Sequence, residues 1–503
     1  MRKLLYLNSL SGVIQIILGI ILVFISIPLF ISVMGSKTYG VFSILLIIGN
    51  LNSFTNLGIT ASLVKFLAEQ GKVKQSNYDI FISFMILLIV GFSFSLLLFL
   101  FTEVTLFDLF KIPKEYNSND TLILYYSLLV SNFFLFVGQI GVAVLDSLQK
   151  IYLTNILQTI YNSSYWLFII LILIVRPSLP LIGFSILLSS FIWLIILIYF
   201  FLKHWNYFEF SGIKENIFFT IRKNLNYGFK IYFSGLINFF FEPLSKILLS
   251  NFVGITEVGY YDIILRVKTQ LMNLVLKVFY PIIPYISAEK DIARVRLLIT
   301  DICKKIAFLI IPILIVSFYG ANTVVNLWLG DDFTLVAASI SYLISAYLLS
   351  IIMLPNYQYL TYKGFPGKTI IMQLSNVIVN ILLFFFTYEY LAFYAIIVGN
   401  IGALIFSTIQ GFYFQKKYLN NFVFEKLDEF YKWITIIGLT FFIGHIVTSI
   451  QLNKIIQLIL LVVSVITFYF YFLRQFKIFN SKDISTYFGQ NYFADRIAKI
   501  LLK

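Results

Sequence analysis

Apolar residues run through this chain in blocks of roughly 20, separated by short polar stretches, from near the first residue to about residue 473. A block of that length predicts a transmembrane helix, because about 20 residues at 1.5 Å each cross the hydrocarbon. About fourteen such blocks are expected, at 10–33, 39–60, 80–101, 121–145, 153–175, 179–202, 228–250, 259–285, 305–321, 336–360, 369–388, 391–414, 433–451 and 455–473. The polar stretches carry a second pattern. Of 37 Lys and Arg residues, 27 fall on alternate segments that include both termini, and 5 (Lys37, Lys111, Lys114, Arg176 and Lys454) fall on the others. Positive charge is retained on the cytoplasmic side, so both ends are expected there and the number of spans is even.

The expected fold class is therefore an all-α polytopic membrane protein. Two cytoplasmic linkers divide it into an N-lobe over 1–205 (spans one to six), a linker over 206–227, a C-lobe over 228–414 (spans seven to twelve), a linker over 415–432, two extra helices over 433–473 and a cytoplasmic tail over 474–503. An internal repeat fits the division. Gly35-Ser-Lys-Thr-Tyr-Gly40-Val-Phe, between spans one and two, resembles Gly254-Ile-Thr-Glu-Val-Gly259-Tyr-Tyr, between spans seven and eight, at an offset of 219 residues. Halves with even helix number point the same way in the membrane, which predicts two six-helix lobes related by a pseudo-two-fold axis, with a central cavity.

Composition narrows the function. Hydrophobic residues make up 60% of the chain and charged residues 12%. The net charge of +14 follows from the loop pattern and calls for no nucleic acid. Cys303 is alone, and His204 and His445 are far apart, so neither a disulfide framework nor a metal site is expected. The first apolar block is too long for a signal peptide. There is no P-loop lysine motif. Asp331-Asp332 lies on a short outside loop and reads as a solvated turn after Gly330. No catalytic residue and no cofactor is expected.

Charges deep within spans gather in two neighbouring blocks: Glu242 and Lys246 in span seven; Asp262, Arg266, Lys268 and Lys277 in span eight. An ionisable group at bilayer depth normally faces a cavity or a partner. At 100° per residue, Asp262, Arg266, Gln270, Asn273 and Lys277 share an arc of about 100°, with Lys268 off it. Asn238, Glu242 and Lys246 form a second stripe. The surplus of positive charge suits an anionic group such as a diphosphate, with Arg266, Lys246, Lys277 and Lys268 as binding candidates. Glu242 and Asp262 are candidates for ion or proton coupling. The local alternative is i,i+4 pairing, Glu242 with Lys246 and Asp262 with Arg266; Glu242 and Arg266 are also at matching depth. Uncharged polar stripes supply a candidate cavity lining: Gln15, Asn132, Gln139, Asn238, Gln270, Asn273, Gln373, Asn376 and Asn380. Amides of this kind bind sugar hydroxyls or join helices. Pro28, Pro281, Pro284 and Pro355 mark bends in or near spans.

The opening run Asn8-Ser-Leu-Ser-Gly-Val-Ile-Gln, Met34-Gly-Ser-Lys-Thr-Tyr-Gly-Val-Phe, Asn56-Leu-Gly-Ile-Thr-Ala-Ser-Leu-Val-Lys-Phe and Asn326-Leu-Trp-Leu-Gly-Asp-Asp-Phe together resemble the Wzx-type polysaccharide flippases of the multidrug/oligosaccharidyl-lipid/polysaccharide exporter superfamily. The resemblance covers about residues 1–480. It implies two six-helix lobes plus two helices. It also implies turning undecaprenyl-diphosphate-linked oligosaccharide from the cytoplasmic to the outer leaflet of a bacterial plasma membrane, for O-antigen or capsule synthesis. The partners to expect are the bilayer, the lipid-linked oligosaccharide and, as candidates, a polysaccharide polymerase and a chain-length regulator. Basic residues of the kind that lipid II flippases carry in spans one and two are missing from those interiors here. The alternatives are a drug/cation antiporter of the same fold and a membrane polysaccharide polymerase or glycosyltransferase.

Overall fold

The computed structural model describes residues 2–53, 56–209, 213–279, 291–362, 365–419 and 427–478. Among them, all regular structure is helical. Contacts divide the chain into two units, Met1–Ile263 and Ile264–Lys503. The boundary falls inside one continuous helix.

The first unit comprises α1 (Arg2–Met34), α2 (Ser36–Gly49), α3 (Ile59–Gln70), α4 (Lys74–Leu100), α5 (Asn119–Ser147), α6 (Ile151–Val175), α7 (Leu179–His204), α8 (Ile213–Phe239), α9 (Glu242–Phe252) and the start of α10 (Ile255–Phe279). Its centre is α5, which packs on α2, α3, α4, α6 and α7. Three-fifths of the apolar stretch of α5 is buried, against 17% in α6. Small residues set its close approaches. A Cβ on Gly138 would stand 2.4 Å from the Trp193 ring of α7.

The second unit holds the rest of α10, α11 (Ile292–Leu329), α12 (Thr334–Ile351), α13 (Leu354–Tyr362), α14 (Pro366–Leu391), α15 (Phe393–Leu419), α16 (Leu427–Ser449) and α17 (Lys454–Gln475). Here α14 lies along α15, α11 packs on α12, and α16 and α17 pack on each other and on α11.

Among the described residues, ten helices are long and apolar enough to cross a membrane, and they correspond to ten of the fourteen expected blocks. The other four blocks are spans two, seven, eight and ten. Span eight is α10, whose charges set it apart; Pro281 and Pro284 beyond it lie outside the described residues. Spans two, seven and ten are each broken. Span two splits into α2 and α3, and ahead of α3 Leu57 and Gly58 both have positive φ (52° and 69°). Asn56 Oδ1 accepts from the Gly58 N–H at 3.0 Å, the local bond by which Asn competes with a helix. Span seven breaks between Phe239 and Glu242, ahead of Pro243, whose ring lacks an N–H and clashes with the preceding turn. Span ten breaks at Ile352–Met353, with Pro355 in the first turn of α13. The Cys303 thiol meets the Ile352 carbonyl that this break leaves open, at 3.2 Å.

Two residues that the sequence repeat aligns lie against each other. Gly40 and Gly259, equivalent at the offset of 219 residues, touch. A Cβ on Gly259 would lie 3.1 Å from the Gly40 Cα, and one on Gly40 would lie 1.9 Å from the Ile255 carbonyl oxygen. Only hydrogen fits there.

Candidate functional site

Two features stand out in the first unit. The first is a buried ionic network beside that glycine contact. Lys246 of α9 is 8% exposed and Asp262 of α10 is 5% exposed. The Lys246 ammonium donates to Asp262 Oδ1 at 2.6 Å, to Ser43 Oγ at 3.2 Å and to the Ser43 carbonyl at 3.3 Å. The Tyr39 hydroxyl donates to Asp262 Oδ2 at 2.7 Å. Each charge is therefore paired and also hydrogen-bonded to polar groups, as a dry ion pair requires. The salt bridge joins two helices, and α2 seals it with Tyr39 and Ser43. Ser43 and Asp262 are themselves equivalent at the offset of 219.

The second feature is a cavity of about 460 Å³ at the break in span two. The turn between α2 and α3 supplies Asn50, Asn52 and Asn56, and the start of α3 supplies Thr60. Gln139 and Asp146 come from α5, Gln158 and Tyr161 from α6, and Trp193 from α7. Irregular backbone at membrane depth is tolerated where it lines such a space. The turn is held from α5. Asn132 Oδ1 accepts from the Asn52 N–H at 2.7 Å, and Gln139 spans the Asn52 carbonyl (2.7 Å) and the Asn56 amide (3.0 Å). The Asp146 carboxylate accepts from the Thr154 hydroxyl at 2.9 Å. Tyr161 and Trp193 meet edge to face, with ring centres 6.3 Å apart. The wall thus combines amide donors and acceptors with two aromatic rings.

Of the sequence candidates, the structure brings together Lys246 with Asp262, and Asn132 with Gln139. Glu242 begins α9 and is half-buried. Gln15 is half-buried on α1 and is not among the residues lining the cavity. In the second unit, Arg266, Gln270 and Asn273 are half-buried on α10. Lys268 is buried, with its ammonium 4.6 Å from the centre of the Tyr347 ring. Gln373 donates to the Tyr357 hydroxyl at 2.5 Å. Asn376 and Asn380 follow on α14, Asn380 against Gly399 of α15. The side chains of Asn238 and Lys277 lie outside the described residues.

Sequence reasoning did not single out Tyr39, Ser43, Asn50, Asn52, Asn56, Asp146, Tyr161 or Trp193 as site residues. The signal for the asparagines was present: three of them and a glycine within nine positions of an otherwise apolar block.

The family model described as polysaccharide biosynthesis protein matches residues 7–290, more than half of the chain. The chain belongs to this family. The matched stretch carries both the ionic network and the polar cavity. No curated protein matches the chain by sequence. Among solved structures, the chain is similar to the lipid II flippase MurJ in an inward closed conformation, with a TM-score of 0.72 and 16% identity over 93% of this chain and 99% of that one. It is also similar to an inward-facing multidrug resistance transporter of the MATE family and MOP superfamily, with a TM-score of 0.64 and 13% identity over 81% and 98%. A third likeness is the MATE multidrug transporter DinF-BH, with a TM-score of 0.62 and 14% identity over 84% and 97%. At these identities the likeness establishes a shared fold: a multi-pass helical membrane architecture found in flippases and transporters.

Proposed function

We propose that this family member is a flippase. It moves undecaprenyl-diphosphate-linked oligosaccharide repeat units from the cytoplasmic to the outer leaflet of a bacterial plasma membrane, by alternating access, for O-antigen or capsular polysaccharide. The observation that carries the reading is the cavity at the broken span, walled by amides, Tyr161 and Trp193. Sugars offer hydroxyls to amides and flat C–H faces to rings, and a polar space inside an apolar bundle suits such a cargo. The family and the shared fold agree with it.

The diphosphate is assigned to the basic residues Arg266, Lys268 and Lys277. Asp262 is a coupling candidate, because a proton on its carboxyl would open its pair with Lys246. Glu242 is the second coupling candidate. The chain itself performs no bond-making chemistry in this scheme. A second reading, a drug/cation antiporter, draws on Asp146, a carboxylate in the wall of the same cavity.

The test uses purified protein in liposomes and follows inward-to-outward movement of a polyprenyl-diphosphate oligosaccharide. Wild-type movement that Tyr161→Ala and Arg266→Ala each reduce at least about tenfold, in protein that still folds, supports the flippase and both assignments. Movement indifferent to both substitutions discards the assigned residues. Absence of movement with several oligosaccharides under an ion gradient, together with Asp146-dependent transport of an organic cation, replaces the flippase by the antiporter.

A further inference from the structure

The wall of the polar cavity carries one acid and no base. Asp146 of α5 is half-buried there, and none of the described residues lining the space is a lysine, arginine or histidine. Arg266 and Lys268, assigned to the diphosphate, are not among the lining residues. The space of about 460 Å³ therefore holds a negative field of its own.

That carboxylate has fewer partners than it can take. An ionised carboxylate accepts about four hydrogen bonds. Among the described residues, the hydrogen-bond partner of Asp146 is the Thr154 hydroxyl of α6, 2.9 Å from Oδ1. The hydroxyl has a single proton and stands equally 2.9 Å from the Ile151 carbonyl, so the bond is shared. None of the ion pairs among the described residues includes Asp146. A charge within a helix bundle faces a partner or a cavity, and this one lines the cavity. The neighbouring amides are engaged with each other: Asn56 with Gln139 at 3.0 Å, and Gln158 with Asn162 at 3.3 Å. Asp146 is thus the strongest acceptor left in the wall.

We infer that Asp146 selects the charge of the sugar: it accepts hydroxyl protons from an uncharged ring in this cavity and rejects rings that carry a carboxylate, the uronic acids. The inference rests on the flippase reading and narrows its substrate class. Neighbouring hydroxyls on a sugar ring match the two oxygens of a carboxylate, and they supply the donors that Asp146 lacks. A uronate would instead set two carboxylates in one partly enclosed space with no cation on the wall between them. Like charges brought together in this way discriminate by at least about tenfold. Attraction and exclusion come from the same side chain.

The test places the purified full-length protein in liposomes with two matched probes. One is a polyprenyl diphosphate bearing a disaccharide of two uronic acids, and the other is its carboxyl-reduced, uncharged form. Wild type should move the uncharged form at least about tenfold faster. Asp146→Asn keeps the size and one acceptor oxygen; it should bring the two rates within about threefold, chiefly by admitting the acidic form. Asp146→Glu, which keeps the charge, should keep the exclusion. Thermal melting in detergent checks that both variants fold. Equal movement of the two forms by wild type overturns the inference with no variant needed. An exclusion unchanged in Asp146→Asn also overturns it. So does loss of both movements in folded Asp146→Asn, which makes the carboxylate a cation or coupling site. No movement of either form by wild type removes the flippase reading itself, and the inference with it.

Discussion

Removing one member of the Lys246–Asp262 pair should cost far more than removing both. In Lys246→Met, the Asp262 carboxylate loses the ammonium at 2.6 Å, retains the neutral Tyr39 hydroxyl at 2.7 Å and stays 5% exposed. In Asp262→Leu, the Lys246 ammonium falls back on Ser43, at 3.2 and 3.3 Å. Breaking a buried pair in this way costs about 3–5 kcal/mol, because its ionic bond is lost in a dry place. Replacing both charges by apolar side chains is close to neutral. The Tyr39 hydroxyl then loses the carboxylate as its acceptor, at about 1–3 kcal/mol. Adding Tyr39→Phe should recover most of that. A stability loss of about 3–5 kcal/mol in a unit of this size lowers the melting temperature by on the order of 10 °C. The assay is thermal unfolding of detergent-purified protein, single variants against double and triple, with the coupling energy taken from the cycle. Single variants that melt with wild type, or a double variant as unstable as the two singles added, would refute the buried-pair reasoning.

Three further outcomes follow from other contacts. Gly58→Ala should destabilise by at least about 2 kcal/mol, since φ is +69° and the new Cβ would lie 2.1 Å from the Gly228 carbonyl oxygen; a melting temperature equal to wild type contradicts it. Lys223→Met should cost about 3–5 kcal/mol by stranding the buried Asp79 carboxylate, now paired at 2.7 Å, and Asp79→Leu in the same chain should restore most of the loss in the same melting assay. The Asp331 carboxyl is held below the usual carboxylate range by hydrogen bonds from Lys454 and Asn326 and by the Lys454 charge. Because its folded-state value is depressed, its stabilising effect is present above the ordinary value of about 3.9 and fades as pH falls through the lower folded one. The melting difference between wild type and Asp331→Asn should therefore be steady at neutral pH and vanish in strong acid.

The helical membrane fold was legible because the apolar blocks have no other physical explanation in a chain of this length. The interruptions were not read, although their residues were visible. Averaging hydropathy over span two conceals Asn50, Asn52, Asn56 and Gly58 among leucines and isoleucines. Lys246 and Asp262 were recognisable as buried charges from their depth in the blocks. Their actual partnership joins two helices and two residues of α2. No helical periodicity reports a hydrogen bond from Tyr39 to a carboxylate 223 positions away. The cavity was half legible for the same reason. Gln139 and Asn132 advertise themselves as amides within an apolar helix, whereas Tyr161 and Trp193 are indistinguishable in sequence from aromatic packing residues.

The bare contact between Gly40 and Gly259 has a mechanical meaning. Where two helices meet as naked backbones, no side chain must leave a groove before one rolls on the other. Sliding is another matter, because the neighbouring Tyr39 ring and the Ile255 carbonyl stand in the way. Such a joint behaves as a fulcrum: it fixes a point and frees an angle. It lies at the register where the two copies of the repeat are the same residue, so it favours neither. Any methyl group added there would turn the bearing into a wedge.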